Sequence, residues 1–334
     1  MQNQNKCLGC GAIKQTTNPL EVGYVKSLEH EYCLDCFQLA HYGKTNKHYH
    51  PNNYSEIKEK SLIFIIQSIM QLDLLFTQPI TRIQPNAKYV YIINQIDLLP
   101  KDINLGFIHH QLLKYAKDNN VTYHDIILMS ALNKNDIENL KEYIMSEREK
   151  DIYLFGFQNS GKSTILKALT NNEKVLSINK AGLTQETIIE DFNNKKLYDM
   201  PGTYVSGYLS DFFEYEKYRK MLPKKTLKPK VYQLKNTQKL VISDFIEITF
   251  DKAEKISLVL YLNDFNTINK YNINNKENHL TDDLSYTTKS FPINGVKKQI
   301  TIGDLLFMHV VGDCNITIKL PKKMHITIMG ALMK

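Results

Sequence analysis

The stretch DIYLFGFQNSGKSTILKALT, Asp151–Thr170, decides the reading of this chain. Ile152, Tyr153, Leu154 and Phe155 are an apolar run of the length of a buried strand. Gly156–Ser163 follows as G-F-Q-N-S-G-K-S, a complete GxxxxGK[ST] loop, and Thr164–Leu169 reads as the opening of a helix. Strand, Gly-rich turn and helix in that order are the context the pattern requires. The turn's backbone N–H groups and the helix N-terminus present partial positive charge to phosphate oxygens. In such a loop Lys162 reaches the β- and γ-phosphates and the Ser163 hydroxyl takes a place on Mg²⁺. Gly156, Asn159, Ser160, Gly161, Lys162, Ser163 and Thr164 are therefore expected to line a nucleoside triphosphate site.

Working outward, four further elements specify the base and the switch. Lys196–Met200 reads as a strand that ends in Asp199-Met200-Pro201-Gly202, a DxxG element whose Asp can hold the Mg²⁺ water shell and whose Gly amide can sense the γ-phosphate. Between loop and DxxG lies Ala181-Gly182-Leu183-Thr184. Thr184 is placed like a switch threonine that closes over Mg²⁺ with Ser163, and Thr187 is the fallback. Upstream, the strand Tyr89–Ile93 ends in Asn94-Gln95-Ile96-Asp97, which resembles the NKxD guanine reader. The Asp97 carboxylate would face two N–H donors of guanine, an edge that adenine lacks. The strand Ile126–Met129 ends in Ser130-Ala131-Leu132, a short SA element offering a backbone N–H to the guanine oxygen. Each motif falls at the end of an apolar strand, where open α/β sheets bind ligands. Guanine is the expected base, and an adenine-specific enzyme is opposed by Asp97.

The order is unusual. Ordinary Ras-like GTPases run phosphate loop, switch threonine, DxxG, NKxD, SA; this chain runs NQID, SA, phosphate loop, Thr184, DMPG. Circular permutation, tolerated where natural termini lie close together, leaves such a site intact. The expected fold is α/β: a circularly permuted Ras-like P-loop GTPase domain.

The first fifty residues carry a second signal. Cys7-Leu8-Gly9-Cys10 and Cys33-Leu34-Asp35-Cys36 are two CxxC pairs that suit tetrahedral thiolate coordination of a structural Zn²⁺. Two disulfides are the competing pairing; the lack of an apolar targeting run and the odd fifth cysteine, Cys314, favour a reducing cytoplasm. His41, His48 and His50 follow closely and could replace a ligand.

The 334 residues are 43% hydrophobic and carry a net charge of +7. That length suits two or three domains. The longest apolar run, near Leu62–Ile66, is too short to span a bilayer, so no membrane partner is expected. From Lys217 onward there are 20 Lys and Arg against 10 Asp and Glu, a surplus of ten, so everything before it sums to −3. A positive field so concentrated favours a polyanionic partner for the C-terminal third, although a solvated lysine-rich surface has the same composition.

Three units result: a zinc module over 1–50, the GTPase domain over 51–215 and a basic, mainly β domain over 216–334. Leu62–Leu75 is expected to hold an early helix and strand of the sheet. The Pro- and Lys-rich stretch Leu222–Pro229 reads as a linker. Beyond it Val241–Phe250, Ile256–Leu262, Ile316–Leu320 and His325–Met329 alternate with period two, as strands do, with an Asn-rich turn over Asn263–Asn278.

Together the CxGC…CxxC pairs, the permuted order, the GxxNxGKS form of the loop and the segment Pro223–Leu234 resemble the YqeH-type circularly permuted GTPases, the bacterial branch of the nitric-oxide-associated protein family. The resemblance covers nearly the whole chain. It implies a GTP-hydrolysing factor for small ribosomal subunit biogenesis, with GTP or GDP and the subunit or its rRNA as partners and a C-terminal domain similar to an RNA-binding fold. The chain departs from the family at Gln95, where NKxD has Lys, at Ala181 and Leu183, and at Asn133 and Lys134 after the SA element. Thr203 follows Gly202, so no glutamine stands where Ras-like enzymes orient the attacking water. Asn159 is associated in permuted GTPases with a bound K⁺ that neutralises charge as the β–γ bond breaks. Lys162, Asn159 and Thr184 are accordingly the expected catalytic set. A guanine-nucleotide-binding RNA scaffold that has lost hydrolysis is the alternative.

Overall fold

The computed structural model describes residues 7, 13–19, 23–34, 37, 57–76, 84–171, 187–275, 279–295 and 297–333. The chain forms two compact units, one comprising residues 1–96 and 112–205, the other 97–111 and 206–334.

The first unit is built on a six-stranded sheet among the described residues, in the order β3-β2-β1-β4-β6-β5. The strands are β1 (Leu62–Ser68), β2 (Lys88–Asn94), β3 (Asp125–Leu128), β4 (Asp151–Gly156), β5 (Ile188–Phe192) and β6 (Lys195–Asp199). β1, β2, β3, β4 and β6 pair in parallel, and β5 joins the edge as an antiparallel hairpin with β6. Every residue of β1 is buried, as a central parallel strand covered on both faces demands. Helices α2 (Lys134–Ser146) and α3 (Lys162–Thr170) contribute Ile137, Leu140 and Ile144, and Ile165, Leu166 and Leu169, to a core with Leu62, Phe64, Ile66, Ile152 and Leu154. Burying each such side chain stabilises by about 1.5–3 kcal/mol. The expected early helix and strand over Leu62–Leu75 proves to be β1 followed by a short 3-10 turn, Ile69–Leu74. The unbroken apolar run is a doubly buried strand, which lacks the alternation that separates strands from helices in sequence.

The second unit includes residues 97–111, among them the first half of α1 (Leu105–Asp118), and continues from Ser206. After α4 (Tyr215–Met221) come β7 (Lys230–Lys235), β8 (Gln238–Ile242), β9 (Ile246–Asp251), β10 (Lys255–Leu262), β11 (Ile268–Asn272), β12 (Tyr286–Ile293), β13 (Lys298–Ile302), β14 (Leu306–Val311), β15 (Cys314–Pro321) and β16 (Ile326–Gly330). They form two five-stranded sheets, ordered β16-β13-β14-β10-β7 and β11-β8-β9-β15-β12. All of their pairings are antiparallel. Alternation is clean in β15, where Ile316, Ile318 and Leu320 are buried and Lys319 is exposed.

Val241–Phe250, expected as one strand, is two. Ser243 and Asp244 both adopt left-handed conformations, φ 48° and 59°, and reverse the chain into a tight hairpin. Asp tolerates that region better than most residues, so the turn hides in a period-two pattern. β11 lies inside the expected Asn-rich turn, and β7 inside the segment read as following a linker.

One buried carboxylate organises the entry to this unit. Asp304, 4% exposed, accepts from the Leu209 N–H at 2.9 Å and the Tyr218 hydroxyl at 3.0 Å. The Gly207 carbonyl accepts from the His325 N–H at 2.8 Å. Gly207 has φ +85°, and a Cβ there would come within 2.3 Å of the Lys323 carbonyl oxygen. Burial pushes the Asp304 carboxyl up to about 6, against the pull of its two hydrogen bonds. Its folded value therefore lies above its unfolded one. The stability it contributes is present below about pH 4 and lost as pH rises through about 6, roughly 3 kcal/mol at about 1.4 kcal/mol per pH unit. Asp304→Asn should flatten the pH dependence of the urea midpoint between pH 4 and 6. Parallel profiles for parent and variant would exclude Asp304 as the titrating group.

Candidate nucleotide site

β4 runs straight into the phosphate loop, and two glycines shape it. A Cβ on Gly156 would lie 2.1 Å from the Ile66 carbonyl oxygen, so the loop can start this close to β1 only without a side chain. Gly161, φ +87°, caps α3, and a Cβ there would meet Asn94 Nδ2 at 2.3 Å. α3 begins at Lys162, so the last amides of the loop sit at a helix N-terminus, a positively polarised anion cradle.

The Lys162 ammonium is almost fully buried and donates to the carbonyls of Gly156 and Phe157 at 3.3 and 3.4 Å. Burial lowers its pKa, and the Asp199 charge opposes that. The Ser163 hydroxyl donates to Asp199 Oδ2 at 2.8 Å, and Asp199 is fully buried at the end of β6. These are two hard oxygen donors at one point, the type of set that Mg²⁺ takes. Beyond β6 the chain stays alongside the loop: the Met200 N–H donates to the Leu154 carbonyl at 3.1 Å, and the Thr203 N–H to the Gly156 carbonyl at 3.0 Å. The position of a Cβ on Gly202 would lie 3.2 Å from Lys162 Nζ, so the DxxG backbone passes the amine directly. Thr164 is half-buried on α3.

On the other side of the loop Asn94 is 1% exposed at the end of β2. Its Nδ2 donates to the Ser160 carbonyl at 2.9 Å, and its Oδ1 accepts from the Ala131 N–H at 2.9 Å. One amide thus joins the NQID, SA and phosphate-loop motifs. Ser130 donates its backbone N–H to Asp136 at 2.8 Å and accepts from the Leu132 N–H on its hydroxyl at 3.1 Å. The Leu132 side chain is 74% exposed at the loop tip. Gln95, left-handed at φ 65°, bonds the Ser68 hydroxyl and donates from Nε2 to the Asn159 carbonyl at 3.1 Å. Asn159 is itself left-handed, φ 63°, and half-buried. Asp97 follows Ile96 in the chain, within the 3-10 turn Ile96–Leu98, and is the first residue of the second unit.

Ala181 to Thr184 lie outside the described residues. Thr187 donates its hydroxyl to the Met200 sulfur at 3.5 Å. Of the four paired cysteines, Cys10 and Cys36 also lie outside. Cys7 and Cys33 are each 1% exposed, and the Cys33 N–H donates to Cys7 Sγ at 3.1 Å. Among the described residues no group of three or more His, Cys, Asp or Glu is placed to hold a metal, two of the four thiols being outside that set.

Sequence reasoning missed a brace behind the loop. Gln71 Nε2 donates to the Gln158 carbonyl at 3.2 Å, and Gln67 Nε2 to the Gln71 carbonyl at 2.7 Å. The available signal was Gln67-Ser68, a polar pair closing the apolar run of β1.

The family described as "50S ribosome-binding GTPase" matches residues 151–293. The chain is 24% identical to the Bacillus subtilis protein YqeH, described as uncharacterized, across 98% of each chain. These likenesses support a place in the YqeH-type GTPase family. A second relative, the uncharacterized GTP-binding protein MJ1464 of Methanocaldococcus jannaschii, is 34% identical over 122 residues, 34% of this chain and 30% of that one. The matched GTPase segment begins at the first residue of β4 and runs past DMPG, while NQID and SA lie upstream of it.

Asn94→Ala removes both bonds of the bridge and leaves the Ser160 carbonyl and Ala131 N–H buried without them. The variant should lose about 1–3 kcal/mol of stability and bind GDP several-fold more weakly. Chemical denaturation and nucleotide titration check both, and parent-like values in each would remove the bridge from the site.

Proposed function

We propose that this chain is a circularly permuted, Ras-like GTPase that binds GTP and hydrolyses it slowly to time its residence on the small ribosomal subunit. The observation that carries the reading is the Asn94 bridge: motifs arriving in the order NQID, SA, phosphate loop and DMPG meet at the ends of neighbouring parallel strands. Permutation accounts for that order together with an upstream base reader and a GTPase match that starts at β4.

In this reading the amides from Asn159 to Thr164 cradle the phosphates, with Gly156 and Gly161 shaping the loop. Lys162 exchanges its two loop carbonyls for phosphate oxygens. Ser163, with Thr184, would hold Mg²⁺, which supplies charge neutralisation at the β- and γ-phosphates. Asp199 orients the shell through Ser163, and Gly202 reports the γ-phosphate. Asp97 reads guanine, Ala131 offers an N–H to its oxygen, and Gln95 and the exposed Leu132 flank the ring. With Thr203 in place of a water-orienting glutamine, intrinsic turnover is slow. The Asn159 side chain, on a left-handed loop tip, is suited to a K⁺ whose charge assists the departing phosphate.

The wider plan is a Zn²⁺ module over 1–50, the GTPase domain over 51–215 and a basic β domain over 216–334 that engages RNA, all acting in the cytoplasm. Burial of Cys7 and Cys33 and the amide bonded to Cys7 Sγ support a Cys7, Cys10, Cys33, Cys36 zinc site. The surplus of ten positive charges beyond Lys217 supports the polyanionic partner. Among the described residues no helix is long and apolar enough to cross a membrane.

A nucleotide panel separates the readings. Phosphate should be released from GTP and not from ATP, several-fold faster in K⁺ than in Na⁺, and Asn159→Ala should erase the salt difference while GTP still binds. Tight GTP binding with no release under any salt would favour the hydrolysis-deficient scaffold.

The subunit is tested by sedimentation. The family description names the 50S particle, so the large subunit is the competing partner. Association with the small subunit should fall steeply with salt, as counterion release requires. The purified protein should carry about one zinc, and Cys7→Ser should release it. Binding to the large subunit alone would overturn the assignment.

A further inference from the structure

The stretch Leu222–Pro229 reads in sequence as a linker, but two of its residues are fastened to the motif expected to read guanine. The Thr226 hydroxyl donates to the Asp97 carbonyl at 2.9 Å, and the Leu227 N–H donates to the Leu98 carbonyl at 2.8 Å. Leu227 is 3% exposed and Leu98 4%. A spacer that only joins domains has no reason to bury a leucine.

The clip is held from both ends by the β domain. Upstream, Asn263 Nδ2 donates to the carbonyls of Lys220 and Leu222 at 2.8 and 2.6 Å, and Asn266 Nδ2 to that of Met221 at 3.0 Å. Asn266 is 2% exposed. Downstream, β7 pairs with β10 from Lys230 opposite Leu260 to Lys235 opposite Lys255. Both anchors therefore belong to β10 and the turn after it. Between them Pro223 and Pro229 fix their own φ and bias Leu222 and Lys228 to extended backbone, so the segment has few other conformations. Leu222 is extended, φ −69° and ψ 143°.

We infer that Thr226 and Leu227 are positioning residues for guanine recognition: they hold the backbone of Asp97 and Leu98, and through it the orientation of the Asp97 carboxylate. The inference rests on Asp97 reading guanine. Base discrimination by a bidentate carboxylate depends on placement to a fraction of an ångström. A clip at the carbonyl of the reading residue supplies it, and the β domain thereby becomes part of the specificity apparatus. By thermodynamic reciprocity, a partner that shifts the turn after β10 would change guanine affinity, and guanine binding would change affinity for that partner by the same factor.

The experiment measures dissociation constants of GDP, IDP and XDP for the full chain. IDP lacks the exocyclic amine that the carboxylate accepts from, but shares every phosphate contact. Thr226→Val, close in shape but without the hydroxyl, and Thr226→Val with Leu227→Ala should narrow the GDP-over-IDP preference, the double variant by on the order of tenfold. IDP, which keeps one of the two N–H donors, should weaken less than GDP across them, and Thr226→Ser should restore the preference. A merely structural clip would weaken GDP and IDP alike. Asp97→Asn is measured in parallel. If it fails to shift preference from GDP toward XDP, the base-reading assignment fails and takes the inference with it. If it does shift preference while the Thr226 and Leu227 variants keep the parental GDP-to-IDP ratio, base reading stands and the clip inference is overturned. Should Leu227→Ala unfold the protein, Thr226→Val alone decides.

Discussion

A single buried amide, that of Asn94, is the constraint on which the nucleotide end of the sheet depends. Its two halves satisfy the Ser160 carbonyl of the phosphate loop and the Ala131 N–H of the SA loop. Buried polar groups left unmade cost more than the same bonds contribute when formed, so this exchange is worth more as a constraint than as an energy. It also explains Gly161, since a Cβ there would collide with Asn94 Nδ2. The loop glycine and the asparagine sixty-seven residues before it are one feature.

The same logic revalues Gln95. As a replacement for lysine it looks like a shortened stem against the base. In place, its amide connects Ser68 to the Asn159 carbonyl and so braces the loop tip from behind. Gln71 does the same for Gln158. Asn159 is held in a left-handed conformation by these surroundings, a local cost the rest of the loop offsets.

In the second unit asparagines and one aspartate do comparable work at loop ends. Asp304 takes the Leu209 N–H and the Tyr218 hydroxyl, and Asn263 and Asn266 take the carbonyls at the end of α4. The chain leaving DMPG is thus bonded to the β domain within a few residues of Thr203.

Much of this was legible in the amino-acid sequence. The phosphate loop, DMPG, NQID and SA follow from fixed residue types at fixed spacings, because phosphate and base contacts demand particular backbone and donor geometry. The strands leading into them follow from short apolar runs. The ribosomal partner and the switch threonine rest on motif and charge alone, and the zinc site on its motif together with the burial of Cys7 and Cys33. Tertiary structure decided the rest, for a physical reason. The hairpin at Ser243-Asp244 is a local turn made by two left-handed residues, while the bond from Gln71 to Gln158, the Asp304 anchor and the Thr226–Leu227 clip are long-range polar contacts of residues common in any loop. Their partners lie up to 129 positions away, as Thr226 does from Asp97. Periodicity registers which face is apolar; it carries no record of which distant carbonyl a side chain will meet.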